Sequence, residues 1–214
     1  MKMSVLGSGP VGQAISARLA ELGHEVMIGT RHPDKLREWQ GGAGAKVKIG
    51  SFALSAAHGE MIFNTTNGGG SLPALKLAGE LNLNGKVLID VSNPLDTSKG
   101  MPPSLFVNNT DSLGEQIQRA FPKVKVVKSL NTMNNQVMVR PRDLADGDHH
   151  VFLSGNDAGA KTQVAEVLRS FGWVNILDLG DITTARGVEM YMALWLRLWG
   201  AINDPIYNIK IVRR

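Results

Sequence analysis

Lys2-Met3-Ser4-Val5-Leu6-Gly7-Ser8-Gly9-Pro10-Val11-Gly12 is the stretch that decides the fold. An apolar run of strand length ends in Gly-x-Gly-x-x-Gly. Beyond it Val11, Ala14, Ile15, Leu19 and Leu22 recur near the 3.6-residue period of a helix with one buried face. A lone match to this glycine pattern is weak. Here a strand precedes it, a helix follows, and a second apolar run begins at Glu25, which makes a unit of about 30 residues and gives the pattern its dinucleotide-binding meaning. Gly7 permits the tight turn, Gly9 lets backbone approach a pyrophosphate, and Gly12 lets helix and strand pack closely. Pro10 suits the first helical position, where its missing N–H is not needed. The free N–H groups and partial positive charge of that helix N-terminus suit phosphate. The competing reading is a generic glycine turn.

Outward from this unit, short β-rich runs alternate with helical patterns, the mark of βαβ units on a parallel sheet. Strands are expected at residues 2–6, 25–28, 46–49, 61–64, 86–91, 124–128, 151–154 and 174–177. Helices are expected at 10–22, 33–38, 51–58, 72–81, 112–121, 157–171 and 182–202. Gly41, Gly42 and Gly44 read as loop, as does Asn67-Gly68-Gly69-Gly70-Ser71. Residues 93–110, rich in Pro, Ser, Asn and Gly, read as a long and hence functional loop. Ser112-x-x-Glu115 reads as a capping box. The expected fold is α/β: a Rossmann-type, doubly wound, mostly parallel sheet over residues 1–180, with a small C-terminal helical segment, 181–214, completing a pocket.

Where the second strand ends, Asp or Glu would hold the ribose 2′-hydroxyl of NAD. This chain has Gly29-Thr30-Arg31-His32-Pro33-Asp34-Lys35. Thr30 offers a hydroxyl, Arg31 a guanidinium and Lys35 a second cation. That set suits a 2′-phosphate, which a guanidinium grips in bidentate fashion, so the cofactor read here is NADP(H); a solvated basic loop is the plainer alternative. Asp34 lies further along and reads as a helix cap.

Ligands in open α/β sheets bind beyond the carboxyl ends of the strands, and the other ends are polar: Asn64-Thr65-Thr66-Asn67, Ser92-Asn93-Pro94 and Ser129-Leu130-Asn131-Thr132. Asn64, Thr65, Thr66, Asn93, Pro94 and Asn131 are therefore candidate cofactor contacts, although turn chemistry alone favours the same residue types. No His, Asp or Lys is expected at a strand tip as a general acid or base, so no catalytic residue is assigned. No metal-ligand spacing or Ser-His-Asp arrangement appears. Hydride transfer between two rings needs them held face to face, and the cofactors carry the chemistry.

Composition agrees. The chain has 214 residues with 24 glycines and no cysteine, which removes disulfides, thiolate catalysis and iron–sulfur clusters together. The 23 basic against 19 acidic residues give a net charge of +4, too balanced to predict nucleic-acid binding. The apolar start ends too soon in a glycine turn for a signal peptide. Glu189 and Arg197 interrupt the apolar run near the C-terminus, which is shorter than the ~20 residues of a membrane span. The expected location is the cytoplasm, with neither membrane nor nucleic acid as partner. Met190, Tyr191, Leu194, Trp195, Leu198, Trp199 and Ile202 make an apolar helix that packs a core or a homodimer, or walls a pocket for a flat ring.

With Gly7–Gly12 stand Leu22-Gly23-His24-Glu25-Val26, Gly29-Thr30-Arg31, Asp90-Val91-Ser92-Asn93-Pro94-Leu95 and Val127-Lys128-Ser129-Leu130-Asn131-Thr132-Met133. Taken together they resemble the deazaflavin-coenzyme-dependent NADP oxidoreductase family over essentially the whole chain. The resemblance implies a Rossmann domain binding NADP(H), and hydride passing directly between nicotinamide C4 and a deazaflavin ring. By position it places Ser8, Gly9, Pro10 and Val11 on the pyrophosphate and Thr30, Arg31 and Lys35 on the 2′-phosphate. The cytoplasmic domain of ferric-reductase membrane proteins, which use a flavin, is similar too. After the fourth strand the family pattern resembles Ile-Pro-Trp where this chain has Thr65-Thr66-Asn67-Gly68-Gly69-Gly70. The acceptor stays open among a deazaflavin, a flavin and a similar ring. Competing readings are a reductase of small imines or carbonyls and a non-enzymatic NADP(H) sensor.

Overall fold

Met61–Asn64 and Val87–Asp90 are buried at every position, as strands must be when helices cover both faces of a parallel sheet. The computed structural model describes residues 1–214. In chain order its elements are β1 Lys2–Leu6, α1 Pro10–Glu21, β2 Glu25–Gly29, α2 Arg37–Gln40, β3 Lys48–Gly50, α3 Phe52–His58, β4 Met61–Asn64, α4 Gly68–Ala78, α5 Glu80–Leu83, β5 Val87–Asp90, β6 Leu95–Asp96 and β7 Ser104–Leu105. These are followed by α6 Leu113–Ala120, β8 Lys125–Lys128, α7 Asn135–Val139, β9 His150–Gly155, α8 Ala158–Phe171, β10 Asn175–Asp178 and α9 Ala185–Ile202.

Eight strands form one sheet in the order β10-β9-β8-β5-β4-β1-β2-β3. Every neighbour pair in it is parallel except β8 and β9, which are antiparallel. The order reverses between β1 and β4. A doubly wound sheet opens its ligand crevice at such a switch point, beyond the strand ends. Leu6 pairs with Asn64, Asn64 with Asp90, and Asp90 with Lys128, so four strand tips stand in one row.

The core follows the period-two geometry of strands. Val5, Phe63, Ile89 and Val127 face one cluster with Ile15 and Leu19 of α1 and Val164 and Leu168 of α8. Leu6, Ile62, Leu88 and Val126 face the other with Leu75 of α4 and Ile117 of α6. After α9 the tail returns to the sheet: Ile209 O accepts from His150 N at 2.8 Å, and Asn208 Nδ2 meets His149 Nδ1 at 2.8 Å.

Three expectations change. Gly68, Gly69 and Gly70 are not loop; they form the first turn of α4. Asn67 caps that turn, its Oδ1 accepting from Gly70 N at 2.7 Å. Gly68 is small because it must be, since a Cβ there would lie 2.1 Å from Asn93 O. Residues 93–110 are not unstructured: they carry the β6–β7 hairpin, with Leu95 opposite Leu105. The five-residue α7, capped by Asn134, was not foreseen; one turn is too short to show a helical period.

The close approach at Gly68 is testable by urea unfolding. Gly68→Ala is expected to cost about 1–3 kcal/mol, the range for overpacking. Gly69→Ala, with open space at its Cβ, is expected to be neutral or mildly stabilising, because it lowers unfolded-state entropy.

Candidate functional site

The β1–α1 turn is built by close contact. Gly7 has φ +117°, and a Cβ on it would lie 2.9 Å from Thr65 backbone; a Cβ on Gly12 would lie 2.0 Å from Gly7 O. Thr65 clamps the turn, its hydroxyl donating to Leu6 O at 3.0 Å. Gly9 differs: nothing lies within 4 Å of where its Cβ would be. It faces open cavity and is the N-cap of α1, whose first turn has no side-chain cap and no acidic residue. The first N–H groups of that helix are thus left for a ligand.

Two cavities meet at this turn and share Gly9, Thr65, Thr66, Asn67 and Gly69, forming one groove along the strand tips. The half beside β2 is about 520 Å³, with Gly7, Ser8, Thr30, Arg31 and His32 in its wall. The half beside β5 is about 810 Å³, with Pro10, Val11, Ser92, Asn93 and hairpin residues in its wall. Thr30 Oγ1 joins the first half together: it meets Ser8 Oγ at 2.8 Å and accepts from His32 N at 3.0 Å. An open backbone cradle at Gly9, a free helix N-terminus and a guanidinium at the tip of β2 fit a dinucleotide carrying a 2′-phosphate.

Five expected contacts stand outside the groove wall. Gly12 lies beneath the turn. Lys35 is exposed on the 33–36 turn. Asp34 does not cap that turn but pairs with exposed Arg37. Asn64 and Asn131 are buried behind the groove: Asn64 bonds Ser71 and Asp90, and Asn131 exchanges amide bonds with Asn93 at 2.8 and 2.9 Å. Pro94 is buried, and its carbonyl holds the hairpin through Phe106 N at 3.0 Å. Strand geometry explains Asn64 and Thr65, since consecutive side chains point to opposite sides.

Charged residues do stand at strand tips, against expectation. Asp90 ends β5 and Lys128 ends β8, and both side chains are 0% exposed. Lys128 Nζ donates to Asp90 Oδ2 at 2.7 Å, to Glu189 Oε1 of α9 at 2.8 Å and to Ser92 O at 2.5 Å. Burial pulls the Lys128 pKa down, but the two carboxylates overcome it and the pKa is raised. Asp90 Oδ1 accepts from Asn64 Nδ2 at 2.9 Å and Ser92 Oγ at 2.6 Å, and Asn64 Oδ1 accepts from Thr66 Oγ1 at 2.7 Å. The network therefore ends at Thr66, in the groove. Glu189 also accepts from Leu113 N and Gly114 N, capping α6. With all three Nζ donors committed, Lys128 has no proton to offer a substrate.

α9 is tied down again by Arg186, which donates to both oxygens of Glu115 at 2.8 and 2.6 Å and holds that carboxyl below its usual range. No residue beyond Phe106 lines the groove. α9 supports the groove through the hairpin, where Met192, Trp195 and Leu196 pack on Leu95 and Leu105.

Residues 2–94 match the family described as NADP oxidoreductase, coenzyme F420-dependent. A crystal structure from Arthrobacter sp. FB24, provisionally described as an F420-dependent NADP reductase, is 53% identical, covers 100% of both chains and superposes with a TM-score of 0.96. The chain belongs to the coenzyme F420-dependent NADP oxidoreductase family. By that membership it is an NADP-dependent oxidoreductase. The F420-dependent NADP reductase of Methanothermobacter marburgensis is 26% identical over 99% of this chain and 97% of its own. Metalloreductase STEAP3 of Rattus norvegicus is 30% identical over 92% of this chain, which spans 38% of that relative's length. No helix of this family member is long and apolar enough to cross a membrane.

In this oxidoreductase the buried triad is the part that sequence reasoning missed. Its signals were Asp90, closing the apolar run Val87-Leu88-Ile89, and Lys128, following Val126-Val127, where burial of a charge demands a partner. Lys128→Met is expected to cost about 3–5 kcal/mol, because it leaves buried carboxylates without their counter-charge. A group whose pKa is raised above its ordinary 10.5 contributes fully below that value and loses the contribution as pH rises through the folded one. The stability gap between the two proteins should therefore stay level from about pH 7 to 9 and narrow only in stronger base. Urea unfolding across that range checks both points.

Proposed function

We propose that the groove holds NADP(H) along the β1–α1 turn and that the enzyme exchanges hydride with a flat ring acceptor, a deazaflavin, flavin or similar ring, in the half beside β5. The observation that carries this reading is the continuity of the groove from the Arg31 end, past the open backbone at Gly9, to the polar wall of Thr65, Thr66 and Asn93. When bound, the nicotinamide supplies or takes up the hydride at C4. Arg31 would grip the 2′-phosphate, with Thr30 fixing the turn that presents it. The N–H groups of Val11 and Gly12 would answer the pyrophosphate charge. Thr65, Thr66 and Asn93 would orient the carboxamide and ribose. Lys35 stands close enough in sequence to add long-range attraction for the 2′-phosphate.

No side chain needs to donate or remove a proton for ring-to-ring hydride transfer, and the wall of the β5 half holds no histidine, lysine or arginine, with Asp96 its one ionisable side chain. The C-terminal segment, 181–214, would complete the acceptor side by holding the hairpin in place. Exposed Leu194, Trp199 and Ile202 on α9 suit a homodimer. A cytoplasmic location and a small-molecule redox partner belong to the same reading.

The test is direct. NADPH is mixed with purified protein and a panel of flavins and deazaflavins, and loss of the reduced nicotinamide absorbance is followed; turnover with at least one ring acceptor is expected, and tight NADPH binding without any turnover would favour a sensor. Arg31→Asp should raise the Kd for NADPH about 10- to 100-fold, the worth of one hydrogen-bonded charge contact, while leaving the Kd for NADH nearly unchanged. Equal losses for both cofactors would remove Arg31 from the 2′-phosphate site.

A further inference from the structure

Gly7, Gly9, Gly68, Gly69 and Gly70 stand in the groove wall, and the fold itself explains three of them. Gly7 has its positive φ, Gly68 lies against Asn93 O, and a Cβ on Gly70 would lie 2.7 Å from Asn67 Oδ1, the oxygen that caps α4. Gly9 and Gly69 have no such reason. Nothing lies within 4 Å of where either Cβ would be. Gly9 has φ −73°, and Gly69 sits in the first turn of α4 without a positive φ, so any residue could adopt either conformation. Glycine is also among the poorest helix formers. A glycine that the fold does not require leaves room for a ligand to approach the backbone. The same two glycines belong to both halves of the groove, together with Thr65, Thr66 and Asn67. Those three are tied into the protein: Thr65 Oγ1 donates to Leu6 O, Thr66 Oγ1 donates to Asn64 Oδ1, and Asn67 Oδ1 accepts from Gly70 N. The passage between the halves is therefore bounded by bare backbone from two helices, α1 at Gly9 and α4 at Gly69.

We propose that Gly69 is a specificity-determining residue for the cofactor: its missing side chain keeps open the passage by which a whole dinucleotide crosses from the β2 half to the β5 half. The proposal rests on the reading of the groove as the NADP(H) site. A side chain at position 69 meets no protein atom, so folding does not oppose it; only a ligand in the passage does. Stability and affinity should therefore part company. Alanine adds one methyl group and lowers the entropy of the unfolded chain. Valine adds two methyl groups on a side chain stiff at χ1, which cannot swing aside. Both narrow the passage while leaving the β2 half as it is.

Adenosine 2′,5′-bisphosphate carries the adenosine end of NADP without the nicotinamide nucleoside, so it needs only the β2 half. Both ligands are titrated calorimetrically into the wild type, Gly69→Ala and Gly69→Val. Gly69→Val is expected to raise the Kd for NADP about tenfold or more, the scale of an overpacked contact. Gly69→Ala should raise it by about threefold on the same scale. The Kd for the bisphosphate should stay within about twofold of wild type in both variants. The urea midpoint of Gly69→Ala should be unchanged or higher, which separates the loss of affinity from any loss of fold. An unmoved Kd for NADP, or equal losses for the two ligands, would overturn the proposal. Should Gly69→Val fail to fold, the alanine variant decides by the same comparison. Absence of turnover with every ring acceptor would count against hydride transfer alone, because these titrations involve no acceptor.

Discussion

The ammonium of Lys128 is wholly removed from water, and each of its three donors has to meet an acceptor that is itself held in place. That demand reaches across the molecule. Asp90 meets it from the adjacent strand tip, Glu189 from α9, and Ser92 from the turn that leads to the hairpin. Asp90 then commits its second oxygen to Asn64, which turns the Asn64 carbonyl toward Thr66. Glu189 meanwhile closes the N-terminus of α6. Strand tips, hairpin turn, groove floor and C-terminal helix are locked to one another through a charge that touches no ligand. Well-packed apolar groups could match such a triad in stability; what it adds is direction, since each bond fixes which way the next group must face.

Much of the fold was legible because its information is local. The first strand, glycine turn and helix carry their period and their breakers within twenty-odd residues, and the burial of Val5, Ile15 and Leu19 follows from that pattern. The cationic tip of β2 was legible for the same reason: the position of the strand end tells which side chains stand in the groove wall.

The remainder was hidden because it depends on contacts between distant parts of the chain. The glycine run at 68–70 has a loop's composition, yet it starts a helix because Asn67 caps it and because the Asn93 carbonyl leaves no room for a side chain. Asn64 and Asn131 look like ligands, as neighbouring Thr65 and Asn93 do, and only the sheet register separates the inner from the outer. Leu130 takes φ +63°, a left-handed turn that costs a residue with a Cβ about 1–2 kcal/mol. No local preference would suggest it, and packing in the main core holds it there. The hairpin strands of two residues each are shorter than any period a sequence can display.

The hairpin has a further consequence. The β1–α1 turn is made of backbone wedged against backbone, where even one methyl group at Gly7 or Gly12 would collide with its neighbours. The hairpin is joined by two residue pairs and rests on α9 through leucine side chains. The molecule is thus divided into a part that resists substitution and a part that can be rewritten. Change in the β5 half of the groove, in evolution or in the laboratory, has a short stretch of chain to act on, and it can act there without disturbing the glycine turn.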